Sequence, residues 1–356
     1  MGDHRYSFEA RVMVPAVSES SFALKMVVSG PKFGAKVGEP STRVSNFVEA
    51  TSVTADSSNE GVYRATISGD WNAPIIPHGG IVTAIALRAM EAELQHGSIS
   101  DGAVPTSMSQ SPTRIDSTAQ KLRSVSVVFA GKVLAGPLEV EVKMLRRGRS
   151  ASQLAATVRS EGSAAGCTCL AVFGAPRPGF EFTDIAPPVV PGPDKCRSFW
   201  DDPPPGVQRR FDATFWRQAE GRAAMGHAPW DDWEPTTSER AFWYRFLETP
   251  WRDDGTVDPL ALVAFCDTMP GAVGERMGPG IPLWVAPSAD LTVHILGEAR
   301  SEWLLAHNRA RYAGEGYASV EMTLWDQSET LVAYGTQMCI FSFPDGPPPE
   351  SKRRAP

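Results

Sequence analysis

Nine of the thirty prolines fall between residues 176 and 205, where "APPVVPGP" and "DDPPPG" occur. Proline fixes φ and removes an amide donor, so this stretch cannot form one helix or a central strand. It reads as a linker that divides the chain near its middle. At 356 residues the chain is long enough for two domains of roughly 100–200 residues each. The architecture expected is therefore two folding units joined by an extended segment.

Each side of the linker repeats one order of elements. The first side has a strand-like run at 61–71, then a glycine-led helix, "HGGIVTAIALRAMEAELQ", at 78–95. Ile81, Val82, Ile85, Ala86, Ala89 and Met90 fall on one helical stripe, with Glu91 and Glu93 off it. Strand patterns follow at 122–134, 138–148, 150–160 and 167–174. The second side opens with strand-like runs at 208–218 and 240–248 and continues with a helix at 257–269. Strands then follow at 289–297, 302–314, 316–326 and 330–343. Strand, helix, then four antiparallel strands, occurring twice, is an α+β pattern. The Ser/Thr/Pro-rich stretch 98–121 reads as a surface insertion.

Composition removes several classes. The chain is 42% hydrophobic and 21% charged, as an ordinary globular protein is. No apolar run approaches the ~20 residues of a membrane-spanning helix, so no membrane span is expected. The N-terminal "MGDHRYSFEARVMVPAV" lacks the basic flank and long apolar core of a secretory signal. Tyr6 does not fit the myristoylation pattern that an initial Met-Gly would open. The net charge of −7 gives nucleic-acid binding no whole-chain electrostatic footing, so no nucleic-acid partner is expected. The five cysteines are scattered and contain no CxxC pair, which argues against zinc and against a disulfide framework. A reducing, cytoplasmic setting is the default.

Four places carry candidate chemistry. In "LALVAFCDTM" (260–269), Asp267 interrupts an apolar run. A carboxylate near apolar walls is desolvated or held by hydrogen bonds, and either suits a base that takes a proton from water. The alternative is an exposed helix end closed by Pro270 and Gly271. Gln337 shares strand parity with Leu331, Ala333, Gly335, Cys339 and Phe341, an otherwise apolar face on which an amide needs partners. A structural hydrogen bond would satisfy it equally. His78-Gly79-Gly80 precedes a helix, whose first N–H groups could polarise a carbonyl; a tight strand-to-helix turn is the competing reading. "RRGRS" (146–150), which includes Arg149, suits phosphate oxygens, although a solvated hairpin end explains it too. Trp284, Trp303 and Trp325 read as packing residues.

The order of "PHGGIVTAIALRAM", "LEVEVKMLRRGRSASQLAATV", "DTMPGA", "SADLTVHIL", "SEWLLAHN" and "LWDQSETLVAYGTQ" resembles the double-hotdog acyl-CoA thioesterases of type II. The resemblance covers roughly residues 46 to 343. It implies a tandem hotdog, each unit a long helix wrapped by a curved antiparallel sheet. It places an N-terminal extension at 1–45, a first hotdog at 46–175, a linker at 176–207, a second hotdog at 208–344 and a tail at 345–356.

In that family an Asp on the second helix, a Thr at the start of the following strand and a Gln on the last strand activate water. Asp267 and Gln337 match the first and last. The Thr position falls on Ser288, which keeps the hydroxyl and drops the methyl. His78, Gly79, Gly80 and Arg149 become candidate substrate contacts, with one working site built largely by the second half. The resemblance implies hydrolysis of an acyl-CoA or acyl-carrier thioester without metal or redox cofactor, and association of copies through their sheets as a homodimer. No GxSxG elbow is present, which disfavours a serine hydrolase. The rivals are a non-catalytic acyl- or polyketide-binding protein and a dehydratase or hydratase using His78 as base.

Overall fold

The structure, a computed structural model, describes residues 46–96, 120–202, 205, 213–228, 230–279, 281–350 and 353. The expected extension at 1–45, nearly all of the 98–121 insertion and residues 208–212 lie outside them.

In chain order the first half contains α1 (Phe47–Ala50), β1 (Thr54–Ala55), β2 (Val62–Ile67), α2 (Gly79–His96), β3 (Lys121–Phe129), β4 (Gly136–Arg146), β5 (Ala151–Ser160) and β6 (Cys167–Gly174). Then come β7 (Arg197–Ser198), β8 (Ala219–Met225), β9 (Glu239–Phe246), α3 (Pro259–Cys266) and α4 (Gly271–Met277). The last strands are β10 (Asp290–Ile295), β11 (Leu304–Gly314), β12 (Tyr317–Asp326) and β13 (Leu331–Ile340).

All the strands among the described residues join one antiparallel sheet, ordered β1-β2-β4-β5-β6-β3-β10-β13-β12-β11-β9-β8-β7. Read outward from the β3–β10 seam, the halves have the same order: the strand after the helix, then the last, third and second strands of the run, then the strand before the helix. The seam is a regular ladder, with Asp290 opposite Val128 and Thr292 opposite Ser126. No edge is left between the halves, so both sheets curve around a shared interior.

The helices fill that interior. The expected α2 stripe is buried throughout, and Thr83, Ala84 and Leu87 are buried with it. α2 packs against α3 on one side and β4, β5 and β6 on the other, so it is wrapped more fully than a one-faced amphipathic helix. Every residue of α3 from Leu260 to Cys266 is buried. The reverse side of the second half's sheet carries Ala241, Trp243, Trp303, Leu305 and Trp325, with Val190 of the Pro-rich segment packed on them. The Trp243 indole N–H donates to the Pro191 carbonyl at 2.9 Å. Trp303 and Trp325 are thus packing residues, as is Trp284, which joins the main core.

Two details differ from the sequence expectation. The helix expected over 257–269 stops at Cys266, and a second helix begins at Gly271. Asp267 caps it with φ −83° and ψ 17°, and the Thr268 hydroxyl folds back to the Phe265 carbonyl at 2.8 Å. Pro270 lacks an N–H and disfavours helical backbone at the residue before it. The run expected as a strand at 208–218 includes a 3-10 turn at Thr214–Arg217, and β8 follows it.

Candidate functional site

The break after α3 turns Asp267 toward the start of α2. The two helices run antiparallel and very close. A Cβ on Gly80 would lie 2.7 Å from Ala264 Cα and 3.1 Å from Asp267 Cβ. One on Gly79 would lie 2.8 Å from Asp267 Oδ2 and 2.9 Å from the Phe129 ring. Both positions therefore need the missing side chain for close approach.

Four groups converge on the Asp267 carboxylate, whose side chain is 4% exposed. Gly80 N–H donates to Oδ2 at 2.8 Å. Ser288 Oγ donates to Oδ1 at 2.9 Å and Gln337 Nε2 donates to Oδ1 at 2.6 Å. Gln337 Nε2 also reaches Ser288 Oγ at 2.6 Å. His78 Nδ1 stands 3.5 Å from Oδ2. Hydrogen bonds to a carboxylate favour its charged form and offset the cost of burying it.

Each member is placed by its own element. Ser288 sits just before β10, bridged to Cys339, and Ala289 N–H bonds the Met338 carbonyl. Gln337 lies on the buried side of β13 with Gly335 and Cys339, at 2% exposure. The His78 ring stacks on Phe215, centroids 4.1 Å apart and planes 10° apart. Burial lowers the His78 pKa, and the Asp267 charge opposes that shift. His78 is therefore neutral near pH 7.

Two buried atoms at this cluster make no hydrogen bond: His78 Nδ1 and Gln337 Oε1. Unpartnered buried polar atoms flanking a carboxylate suit a water or a reacting group. The neighbouring thiols do not suit nucleophilic attack. Burial, then the Asp267 and Asp290 charges, push Cys339 up to about 12. Burial and Asp267 raise Cys266 further. A thiol must ionise to attack.

The structure thus brings together Asp267, Ser288, Gln337, His78, Gly79 and Gly80. It does not bring Arg149 to them. The neighbouring Arg147 donates to the Leu94 and Glu93 carbonyls at the far end of α2. At 1.5 Å per residue, the fifteen residues from Gly79 to Leu94 put roughly 22 Å between that hairpin and Gly79. Arg149 itself is exposed. Sequence reasoning missed Phe215, because its run read as a strand; the aromatic pair in "TFW" was the available signal. The glycine N–H was expected to face a carbonyl, whereas Gly80 faces Asp267.

A helix wrapped by a curved antiparallel sheet, twice over in one chain, is a double hotdog. Residues 67–174 match the N-terminal domain and residues 193–341 the C-terminal domain of the acyl-CoA thioesterase family, and the chain belongs to that family. Among solved structures it is similar to a hotdog-fold protein of unknown function from Alicyclobacillus acidocaldarius, with 22% identity and a TM-score of 0.64. That match covers 84% of this chain and 98% of the other. It is also similar to an acyl-CoA thioesterase II from Mycobacterium marinum, at 19% identity and TM-score 0.58, covering 85% and 100%. A tesB protein from Mycobacterium avium subspecies paratuberculosis gives 14%, 0.61, 84% and 100%. At these identities the structures establish the fold. No curated protein matches the chain.

Proposed function

We propose that the chain hydrolyses an acyl thioester, acyl-CoA being the expected form, by direct attack of water. The observation that supports this most is the buried Asp267 carboxylate, held by Ser288, Gln337 and Gly80 and flanked by two unpartnered polar atoms. Asp267 takes one proton of the water, and Gln337 Oε1 accepts the other as a hydrogen bond. The water oxygen forms a bond to the carbonyl carbon. The first N–H of α2, at Gly79, has no helical acceptor and faces the developing oxyanion. Collapse of the tetrahedral intermediate breaks the C–S bond; the thiolate takes the proton from Asp267, leaving free acid and thiol. The domain limits that go with this reading are 46–175 and 208–344, with 176–207 between them. Association as a homodimer and a cytoplasmic setting belong to the same proposal.

The test is free-thiol release from a panel of acyl-CoAs by the full chain and by Asp267→Asn. Thiol release lost on substitution is the expected result. Binding without release by the unmodified chain would instead support a carrier role. Dehydration with the thioester intact would support His78 as the base.

A further inference from the structure

A second polar cluster lies on the inner face of the second half, one residue along the chain from Asp267. Arg240 on β9 donates Nη2 to the Thr268 carbonyl at 3.2 Å, and its guanidinium lies over the Phe242 ring, 4.5 Å from the centroid. The guanidinium fills the space beside Gly271: a Cβ there would fall within 2 Å of its atoms. No carboxylate pairs with Arg240 among the described residues, and its buried Nε has no acceptor.

Asn308 on β11 is the direct cross-strand partner of Arg240. Its side chain is 0% exposed, and neither Oδ1 nor Nδ2 has a partner. Tyr244, two inward positions along β9 and 0% exposed, holds its hydroxyl beside the Thr268 side chain. Arg240 and Thr268 lie close enough to oppose the rise that burial gives the Tyr244 phenol. Arg240 Nε and the Asn308 amide thus present unused polar atoms on this inner face, with the Tyr244 hydroxyl beside them and the buried Glu275 carboxylate, already held by His227, nearby. Unpartnered groups of this kind are rare in native interiors and ask for a ligand.

We propose that this cluster is the subsite for a carboxylate at the distal end of the acyl group, so that the preferred substrate is a short dicarboxylic acid monothioester. The inference rests on the thioesterase reading. A guanidinium with an amide and a hydroxyl beside it matches a carboxylate's acceptors, and Arg suits planar two-point contact. The register sets the chain length. Gln337 is on β13, and Arg240 is three strands away through β12 and β11. At ~4.8 Å per strand, with the two-residue offset between Ala310, which faces Gln337 through Val320, and Asn308, which faces Arg240, that is about 16 Å, which the arginine side chain and a five- or six-carbon acyl group span together.

The experiment compares glutaryl-CoA with hexanoyl-CoA, which are similar in length and differ at the distal end. Binding is measured by calorimetry on the non-hydrolysing Asp267→Asn chain, and KM and kcat on the unmodified chain. Tighter binding and lower KM for glutaryl-CoA, by ~10-fold or more, are expected, with the preference lost in Arg240→Gln. Asn308→Leu separates function from folding. It removes an unsatisfied buried amide, so Tm rises while the preference falls; a purely structural Asn308 would lower Tm.

Equal affinity for the two esters, or a preference that survives Arg240→Gln, overturns the proposal. So does an Arg240→Gln loss that is the same for both CoA esters and vanishes with N-acetylcysteamine thioesters, which would place the anion on the carrier. Absence of thiol release from every ester would overturn the hydrolase reading alone, since the calorimetric preference still reports on the subsite.

Discussion

The two halves share a strand order and a buried central helix, yet they use neighbouring helical positions in opposite ways. Asp267 lies eight residues after Pro259, the first residue of α3. Arg88 lies nine residues after Gly79, the first residue of α2, one position further along. Each side chain reaches back to the opening turn of the other helix. Asp267 meets Gly80 N–H, whereas Arg88 meets Asp258, the N-cap of α3. Asp258 also binds Arg252, Arg252 binds Glu91, and Glu91 closes the ring to Arg88. Two arginines and two acids cancel, and Asp258 further caps Leu260 N–H at 3.1 Å. On the last strand, the first half turns Cys167, Cys169, Ala171 and Phe173 inward where the second half turns in Gln337. A repeated frame thus carries a closed charge network at one end of the helix pair and an open polar site at the other.

That contrast breaks if the halves respond alike to substitution. Asp267→Asn is expected to lower kcat for thioester hydrolysis by roughly 10²–10⁴-fold. The fold should survive, since the amide keeps the shape and loses a buried charge. The check is thiol release together with a urea midpoint.

Gly80→Ala and Arg88→Leu sharpen the contrast from the side of stability. The alanine Cβ has to displace the Ala264 backbone 2.7 Å away, so a loss of about 2–3 kcal/mol is expected, along with most activity. Arg88→Leu leaves Asp258 with Arg252 alone. A loss of about 2 kcal/mol is expected, below the range for a fully buried pair because Arg88 is 22% exposed. Its kcat should stay within about threefold of the unmodified chain. A kcat loss comparable to that of Asp267→Asn would place chemistry in the first half.

Much of this frame is legible in the sequence. Alternation finds the long strands to within a few residues, because each has one buried face. The same parity singles out Gln337. Applied to "RAFWYRF" it would also have flagged Arg240 beside Phe242 and Tyr244, and in "LLAHN" Asn308 beside Leu304 and Ala306. What is not legible is pairing across the halves. Gly80 and Asp267 are 187 residues apart, and nothing local states that one N–H is used on the other's carboxylate. The end of α3 at Cys266 is settled by Asp267 and Pro270 against an apolar run that would otherwise continue as helix. The end of α2 at which Arg149 would lie was not legible either, because a basic hairpin looks the same at either end of a helix.

The serine at the site's open edge tests how much of the carboxylate's placement depends on a hydroxyl. Ser288 is half-buried and donates to Asp267 at 2.9 Å. Ser288→Ala removes one donor to a charged acceptor, and a kcat loss of about 10-fold is expected. Ser288→Thr keeps the donor and should stay within about threefold. A threonine variant as impaired as the alanine one would show that space, rather than the hydroxyl, matters at this position.

The smallest expected effect is a dependence of stability on pH, to which His78 of the open site contributes alongside His307, whose pKa burial lowers as well. His78 is buried against Phe215, and its native pKa lies below the ordinary histidine value because burial outweighs the nearby Asp267 charge. In the unfolded chain it titrates near ~6.5. Between that value and the depressed native one, the unfolded state binds a proton that the native state does not. Stability therefore falls as pH drops through this window, by at most about 1.4 kcal/mol per pH unit. Urea midpoints at pH 5.5 and 7.5 should separate for the unmodified chain and for Arg88→Leu. In His78→Gln they should draw closer, leaving the part that His307 contributes. If His78→Gln keeps the full separation, the acid sensitivity arises elsewhere, and the histidine is not held neutral beside Asp267 as its stacking and burial require.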